Sequence, residues 1–306
     1  MDADLSCLIV GCGYVGSRLA RRESTRRPLL ALVRSGRNAT DLQLAGVPTL
    51  HIDLDAAPDP ALQPALAAAA GHAAVVYLVP PPDSGITDPR LAAFLARIED
   101  VTPAVFVYIS TTGVYGDACG ALVDEFSPVA PSNDRSRRRV AAESAAQAWC
   151  AARRVRCVIL RVPGIYGPDR LPLERLRRRE PALREEDAGP GNRIHVDDLV
   201  AAIVAAIDRQ SAQGIFNVTD GDCSSTTAYL QLTAAVAGIE PPELISKAEA
   251  LARIPAGMLT FLLESRRVDN RRMLADLGLQ LQYPTLQSGV SASYAEMRRA
   301  QEAAAR

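Results

Sequence analysis

Aromatic side chains are scarce in this chain: Phe, Trp and Tyr make up 5% of its 306 residues, with a single Trp. Ala, Leu and Val dominate instead, a composition that suggests tightly packed helices. Charge of one sign is also lacking. Lys and Arg number 34 against 35 Asp and Glu, a net charge of −1, which removes any global electrostatic case for nucleic acid or a membrane surface. The six cysteines (Cys7, Cys12, Cys119, Cys150, Cys157, Cys223) show no CxxC spacing and no neighbouring His cluster, so neither a disulfide framework nor a metal site is expected. Cys7 and Cys157 lie in apolar runs, where a thiol acts as a small hydrophobe. No apolar stretch reaches the ~18 residues of a spanning helix. Leu62–Ala70 is interrupted by Pro64 and followed at once by Gly71-His72. The opening Met-Asp-Ala-Asp-Leu lacks the basic n-region and long h-region of a signal peptide, and a cytoplasmic protein is expected.

What is present is a series of short apolar runs. Leu5–Val10 ends at Gly11 and fits a buried parallel strand; Leu29–Val33, Val47–Ile52, Ala73–Val79, Val105–Ile109 and Val155–Leu160 follow. The fourth stops at Pro80-Pro81-Pro82, which cannot continue a ladder. Helical patterns lie between, from Gly16 to about Arg22, at Pro89–Glu99 and at Arg137–Ala152. Strands alternating with helices predict a parallel sheet with right-handed crossovers. Ile203–Asp208 and Ile215–Val218 read as a helix and strand returning to that sheet. Between Pro168 and Arg193 the chain turns rich in Arg, Glu, Pro and Gly; after Asp220 it holds helical segments such as Thr226–Ala237 and the Pro241-Pro242 break. The expected architecture is α/β, a Rossmann-type doubly wound parallel sheet with a small C-terminal substrate lobe. Residues 1–168 and 195–220 make the nucleotide-binding part, and 169–194 and 221–306 make the lobe.

Gly11-Cys12-Gly13-Tyr14-Val15-Gly16 is a GxGxxG directly after a strand and opening a helix. One glycine serves the tight turn, one the approach of backbone to a pyrophosphate, and one close helix–sheet packing. The helix N-terminus offers unpaired N–H groups to the phosphates. After the second strand, where an NAD enzyme places an acid about 20 residues on, the chain has Arg34-Ser35-Gly36-Arg37. Guanidinium there would pair with a 2′-phosphate. NADP(H) is therefore favoured, with NAD(H) as the alternative.

Further segments resemble the extended short-chain dehydrogenase/reductase family of epimerases and dehydratases. Asp53-Leu54 is similar to its adenine-contacting pair, Ser110–Gly116 to its Ser/Thr-rich stretch ending in Val-Tyr-Gly, and Leu160–Pro168 to the segment passing the nicotinamide. Arg193–Leu199 is close to a later signature. The resemblance implies cofactor contacts from Gly11, Gly13, Tyr14, Val15, Gly16, Arg34, Ser35, Arg37, Asp53, Leu54, Val79, Pro80 and Pro163. Active members use a Tyr and a Lys four residues later. Here Ala142-Glu143 aligns Arg139 with the Lys and Arg135 with the Tyr, and no tyrosine lies between Gly116 and Tyr166. Arginine is no acid or base at ordinary pH, so the pattern resembles an atypical branch of the family.

The resemblance leaves Thr111, Tyr115 and Arg139 as candidate catalytic residues. Thr111 would polarise a substrate oxygen or simply bond backbone. Tyr115 would supply a proton or pack its ring. Arg139 would hold the ribose. His195, with Asp197 and Asp198 close behind, reads as structural before it reads as an acid/base. Of the arginine runs, Arg175–Arg179 is the best candidate for an anionic substrate. The expected function is an oxidoreductase or epimerase-like enzyme with an unidentified carbonyl or hydroxyl substrate; the alternative is a non-catalytic NADP(H)-binding regulator or scaffold. Relatives often dimerise through helices here near Pro89–Glu99 and Arg137–Ala152, which is compatible with a homodimer and equally with intramolecular packing.

Overall fold

The first apolar run folds as strand β1 (Cys7–Val10), and all four of its residues are buried. Cys7 and Ile9 enter one core cluster, Leu8 and Val10 another, because successive strand side chains point to opposite faces. A strand apolar on both sides needs helices over both faces, which is the parallel α/β arrangement. The structure is a computed structural model and describes residues 5–34, 36–253 and 264–305.

Along the chain β1 is followed by α1 (Tyr14–Glu23), β2 (Leu29–Val33), α2 (Gly36–Leu44), β3 (Thr49–His51), α3 (Gln63–Ala70), β4 (Ala74–Tyr77), α4 (Pro89–Arg97) and β5 (Val105–Thr111). A 3-10 turn at Thr112–Tyr115 leads to β6 (Leu122–Val123), α5 (Asp134–Arg153), β7 (Arg156–Val162) and β8 (Gly164–Tyr166). Then come α6 (Leu173–Arg177), β9 (Ala182–Leu183), β10 (Arg193–His195), α7 (Val196–Asp208), β11 (Gly214–Asn217) and α8 (Thr226–Ala237). The last described elements are β12 (Leu244–Ile245), α9 (Lys247–Arg253), β13 (Arg267–Val268), α10 (Arg271–Asp276) and α11 (Leu286–Ala304).

Seven strands make one sheet in the order β11-β7-β5-β4-β1-β2-β3, and every pairing in it is parallel. The fold is therefore a doubly wound Rossmann-type sheet with a C-terminal extension of helices and short strands. Strand order reverses between β1 and β4, and a crevice opens beyond the carboxyl ends of strands at such a point. One face is covered by a cluster drawing on α1, α7 and α10, the other by one drawing on α3, α4 and α5.

Local chemistry sets the helix ends. Asp88 caps α4 by accepting from the Leu91 N–H at 3.0 Å, with Pro89 at the first helical position. Asn133 caps α5 by accepting from Ser136 N–H at 2.9 Å, so α5 starts three residues before the apolar pattern predicts. The Arg156 guanidinium closes the end of α7, donating to the carbonyls of Ala206, Ile207, Arg209 and Ala212. Among the described residues, three two-stranded pairs lie outside the main sheet: β8 with β10, β9 with β12, and β6 with β13. No described helix is long and apolar enough to cross a membrane.

Candidate functional site

The loop after β1 shows what each glycine does. Gly11 has φ +97°, and a Cβ there would lie 2.8 Å from a Val79 methyl. A Cβ on Gly16 would run into the Gly11 carbonyl oxygen, so this glycine sets the closeness of helix and loop. At Gly13 a Cβ would meet nothing within 4 Å. Gly13 is also the N-cap of α1 and brings no side chain to its first N–H groups. Open space in front of uncapped amides fits a dinucleotide's diphosphate.

A cavity of about 260 Å³ begins there and runs over the sheet edge. The structure brings Gly11, Gly13, Arg34, Asp53, Leu54, Val79 and Pro80 to its wall. Asn38, Asp55 and Arg90, which sequence reasoning missed, also line it. Val15 instead packs on the hydrophobic core. The Tyr14 hydroxyl donates to the Pro168 carbonyl at 2.6 Å, and the ring carries the Arg170 guanidinium 4.5 Å from its centre. Ser35 and the Arg37 side chain lie outside the described residues.

The ribose end differs from the sequence expectation. Asp55 accepts two hydrogen bonds from Arg90, at 2.7 and 2.6 Å, and Arg34 approaches the same carboxylate at 3.8 Å. Those Arg90 bonds hold the Asp55 carboxyl below its ordinary pKa. Asp53 stands beside it, accepting from the Asp55 N–H at 2.9 Å. The guanidinium of Arg34 thus faces an acid, and the rim's two carboxylates, Asp53 and Asp55, balance the guanidiniums of Arg34 and Arg90.

A second cavity of about 340 Å³ lies beyond the ends of β5 and β7. Thr111 and Pro163 line it, with Asn133, Arg135 and Ser136 from the start of α5. Its described lining holds four guanidiniums (Arg135, Arg175, Arg193 and Arg266) against one carboxylate, Glu264, so it suits an anion. Arg193 is held in place by the carbonyls of Ser224 and Ser225 and the Thr226 hydroxyl, and its guanidinium stacks 4.6 Å from the Tyr229 ring centre. Glu264 pairs with Arg266 at 3.1 Å and accepts from Ser132 and Asn133. Of the run Arg175–Arg179, only Arg175 faces this cavity; Arg177, Arg178 and Arg179 pair with Glu174, Glu180 and Glu240. Thr111 also serves as a cap, its Oγ1 accepting from the Gly113 N–H at 3.2 Å.

Two candidate catalytic residues do not reach this cavity. Tyr115 is 3% exposed, and its hydroxyl donates to Asn217 Oδ1 at 2.7 Å. Burial pushes its pKa up. Arg139 donates to the Tyr108 hydroxyl at 3.1 Å and the Ile109 carbonyl at 3.0 Å. Beneath the cavity floor lies a network the sequence did not announce. Ser110 donates to Glu143 at 2.5 Å, and Arg161 makes a two-pronged pair with Glu143 at 3.1 and 2.7 Å. The Arg161 guanidinium also stacks 4.8 Å from the Tyr115 ring centre, so the phenol belongs to this buried network.

His195 is 1% exposed, its Nδ1 accepting from the Asp197 N–H at 3.2 Å and its Nε2 3.1 Å from Ser293 Oγ. Burial pushes its pKa down to about 4, which leaves a neutral ring that caps α7. Asp220, buried nearby with one unpartnered oxygen, has its pKa pushed up to about 7 by desolvation.

Known proteins share this framework. A conserved protein of unknown function from Silicibacter pomeroyi superposes with a TM-score of 0.80 at 26% identity, over 95% of this chain and 99% of that one. UDP-glucuronic acid 4-epimerase from Bacillus cereus, solved with UDP-glucuronic acid and NAD, superposes at 0.77 with 17% identity, over 96% and 99%. Human dTDP-D-glucose 4,6-dehydratase is 27% identical over 135 residues, 42% of this chain. That match spans 37% of the dehydratase's length. The Bacillus epimerase carries NAD there, and again in a second structure solved in complex with NAD. Together with the contact between Arg34 and Asp55, this overturns the NADP(H) preference drawn from Arg34: that guanidinium is engaged by the acid that directly follows the pair the motif names. The family model described as NAD dependent epimerase/dehydratase matches residues 7–219, and the chain belongs to that family.

Proposed function

We propose that the chain is an NAD-dependent oxidoreductase or epimerase-like enzyme acting on a sugar-nucleotide-type substrate. The observation that carries this reading is the adjacency of two cavities at one sheet edge, one with open amides at Gly13 and one lined by guanidiniums. The α1 amides would hold the diphosphate of NAD, Asp53 and Asp55 would accept from its ribose, and Leu54, Val79 and Pro80 would flank the adenine. Bound NAD would supply reversible hydride exchange at its nicotinamide. Thr111 would orient a substrate oxygen, and Arg135, Arg175 and Arg266 would hold the substrate's diphosphate. Segments 169–194 and 221–306 would form the lobe that closes over it, with 1–168 and 195–220 as the nucleotide-binding part.

A second reading is a non-catalytic NAD-binding protein, and one observation favours it. The described lining of the guanidinium-rich cavity contains no Tyr, Lys or His, in keeping with an atypical branch without the Tyr/Lys pair. Titration with NAD and NADH, followed by assay with UDP-glucose, UDP-glucuronic acid and dTDP-glucose, separates the two. Binding with turnover supports the enzyme; binding with no turnover supports the second reading; no binding overturns both.

A further inference from the structure

We propose that Cys150 and Cys157 form a reversible disulfide joining α5 to β7, made by reaction with a hydroperoxide. On α5 the buried positions Ala142, Ala146 and Cys150 recur every four residues and so share one face. On β7, Cys157 and Ile159 point to the cluster under that face, whereas Val158 and Leu160 point to the opposite one. The turn between helix and strand is tight. Arg154 takes a left-handed conformation (φ +56°), and the Val155 N–H donates back to the Cys150 carbonyl at 2.9 Å. The next residue but one is Cys157, which packs against the same core cluster that holds Cys150.

The pair is asymmetric. Cys150 is 1% exposed, while Cys157 is half-buried. Each thiol acting on the other holds the Cys157 pKa below the usual thiol value and, with burial, pushes that of Cys150 up. Cys157 is thus the accessible nucleophile and Cys150 the resolving thiol. The Cys157 thiolate attacks the terminal peroxide oxygen; the O–O bond breaks, an alcohol leaves with a proton, and a sulfenic acid remains. Cys150 sulfur then attacks Cys157 sulfur, the S–O bond breaks, and hydroxide leaves with the Cys150 proton as water. Two thiols lose two electrons, and one hydroperoxide becomes one alcohol and one water. This site stands apart from both cavities and does not depend on the proposed function.

The test uses the whole protein with hydrogen peroxide as the probe. After oxidation, remaining thiols are alkylated in denaturant and the chain is cut with trypsin, which cleaves between the two cysteines at Arg153, Arg154 and Arg156. The expected result is a linked pair of peptides carrying Cys150 and Cys157, lost on adding dithiothreitol. Cys150→Ser should stop at a Cys157 sulfenic acid captured by dimedone, and Cys157→Ser should leave Cys150 reduced. Recovery of both cysteines alkylated at a dose that oxidises the exposed Cys119 overturns the proposal, as does linkage of either to another cysteine. Mapping the unmodified chain decides the matter even where a variant fails to fold.

Discussion

Gly289 makes room for Tyr166: a Cβ at 289 would overlap the phenol oxygen. Tyr166 is 2% exposed, and its hydroxyl has no hydrogen-bond partner. Gly289→Ala should therefore destabilise by about 1–3 kcal/mol through overpacking, although alanine is the better helix former. Tyr166→Phe should cost nothing, or stabilise by about 1 kcal/mol, and should rescue Gly289→Ala. Urea unfolding of the two single variants and the double variant checks this; additive effects would show that the contact is not what constrains position 289.

Two of the loop glycines should separate binding from folding. Gly13→Ala keeps an ordinary backbone (φ −82°) and meets no protein atom, so the melting temperature should stay close to that of the parent. Its methyl would occupy the diphosphate's space and weaken NADH binding by about tenfold or more, some 1.4 kcal/mol. Gly16→Ala should lower thermal stability as well. Fluorescence titration and thermal melts on the same preparations read both quantities.

The buried Glu143–Arg161 pair predicts strong non-additivity. Their side chains are 6% and 4% exposed. Removing one partner by Arg161→Met or Glu143→Leu should cost about 3–5 kcal/mol, and the double variant should cost clearly less than the sum. Chemical denaturation of the four proteins gives the coupling.

Asp220 predicts a pH dependence. Its carboxyl pKa rises from 3.8 to about 7 in the folded chain, so between those values the native state holds a proton that the unfolded state has released. Its contribution is complete below pH ~4 and is lost as pH rises through 7. Asp220→Asn, which keeps the acceptor for the Asp222 N–H, should gain stability over the parent by about 2–4 kcal/mol at pH 8 and little at pH 4. His195 acts oppositely: its pKa falls to about 4, and its contribution is lost as pH falls from about 6.5 through 4. Melts across pH 4–8 that run parallel for the two proteins would refute the Asp220 assignment.

Arg34→Ala should change NADH affinity by less than about fivefold, because its partner lies 3.8 Å away and its side chain is 68% exposed. A larger loss in the same titration would restore a direct role for this guanidinium.

Much of the sheet was legible because strands buried on both faces read as unbroken apolar runs. Leu29–Val33 matches β2 residue for residue, and Thr226–Ala237 matches α8. The GxGxxG loop was legible for the same local reason. Pairings between distant segments were not. The strands β6 and β13 are two residues each and meet across more than a hundred positions. The partnership of Arg34 with Asp55 depends on Arg90, which arrives on another crossover. Tyr115 carried a motif's signature, yet its orientation is fixed by Asn217 and Arg161, far along the chain.

One carboxylate, Asp55, bridges two arginines drawn from separate crossovers. Its loss would tip the lip of the coenzyme pocket to net positive, two guanidiniums against Asp53, without disturbing any buried side chain. A change of coenzyme preference would thus need a single codon at this surface acid, with the glycine loop untouched.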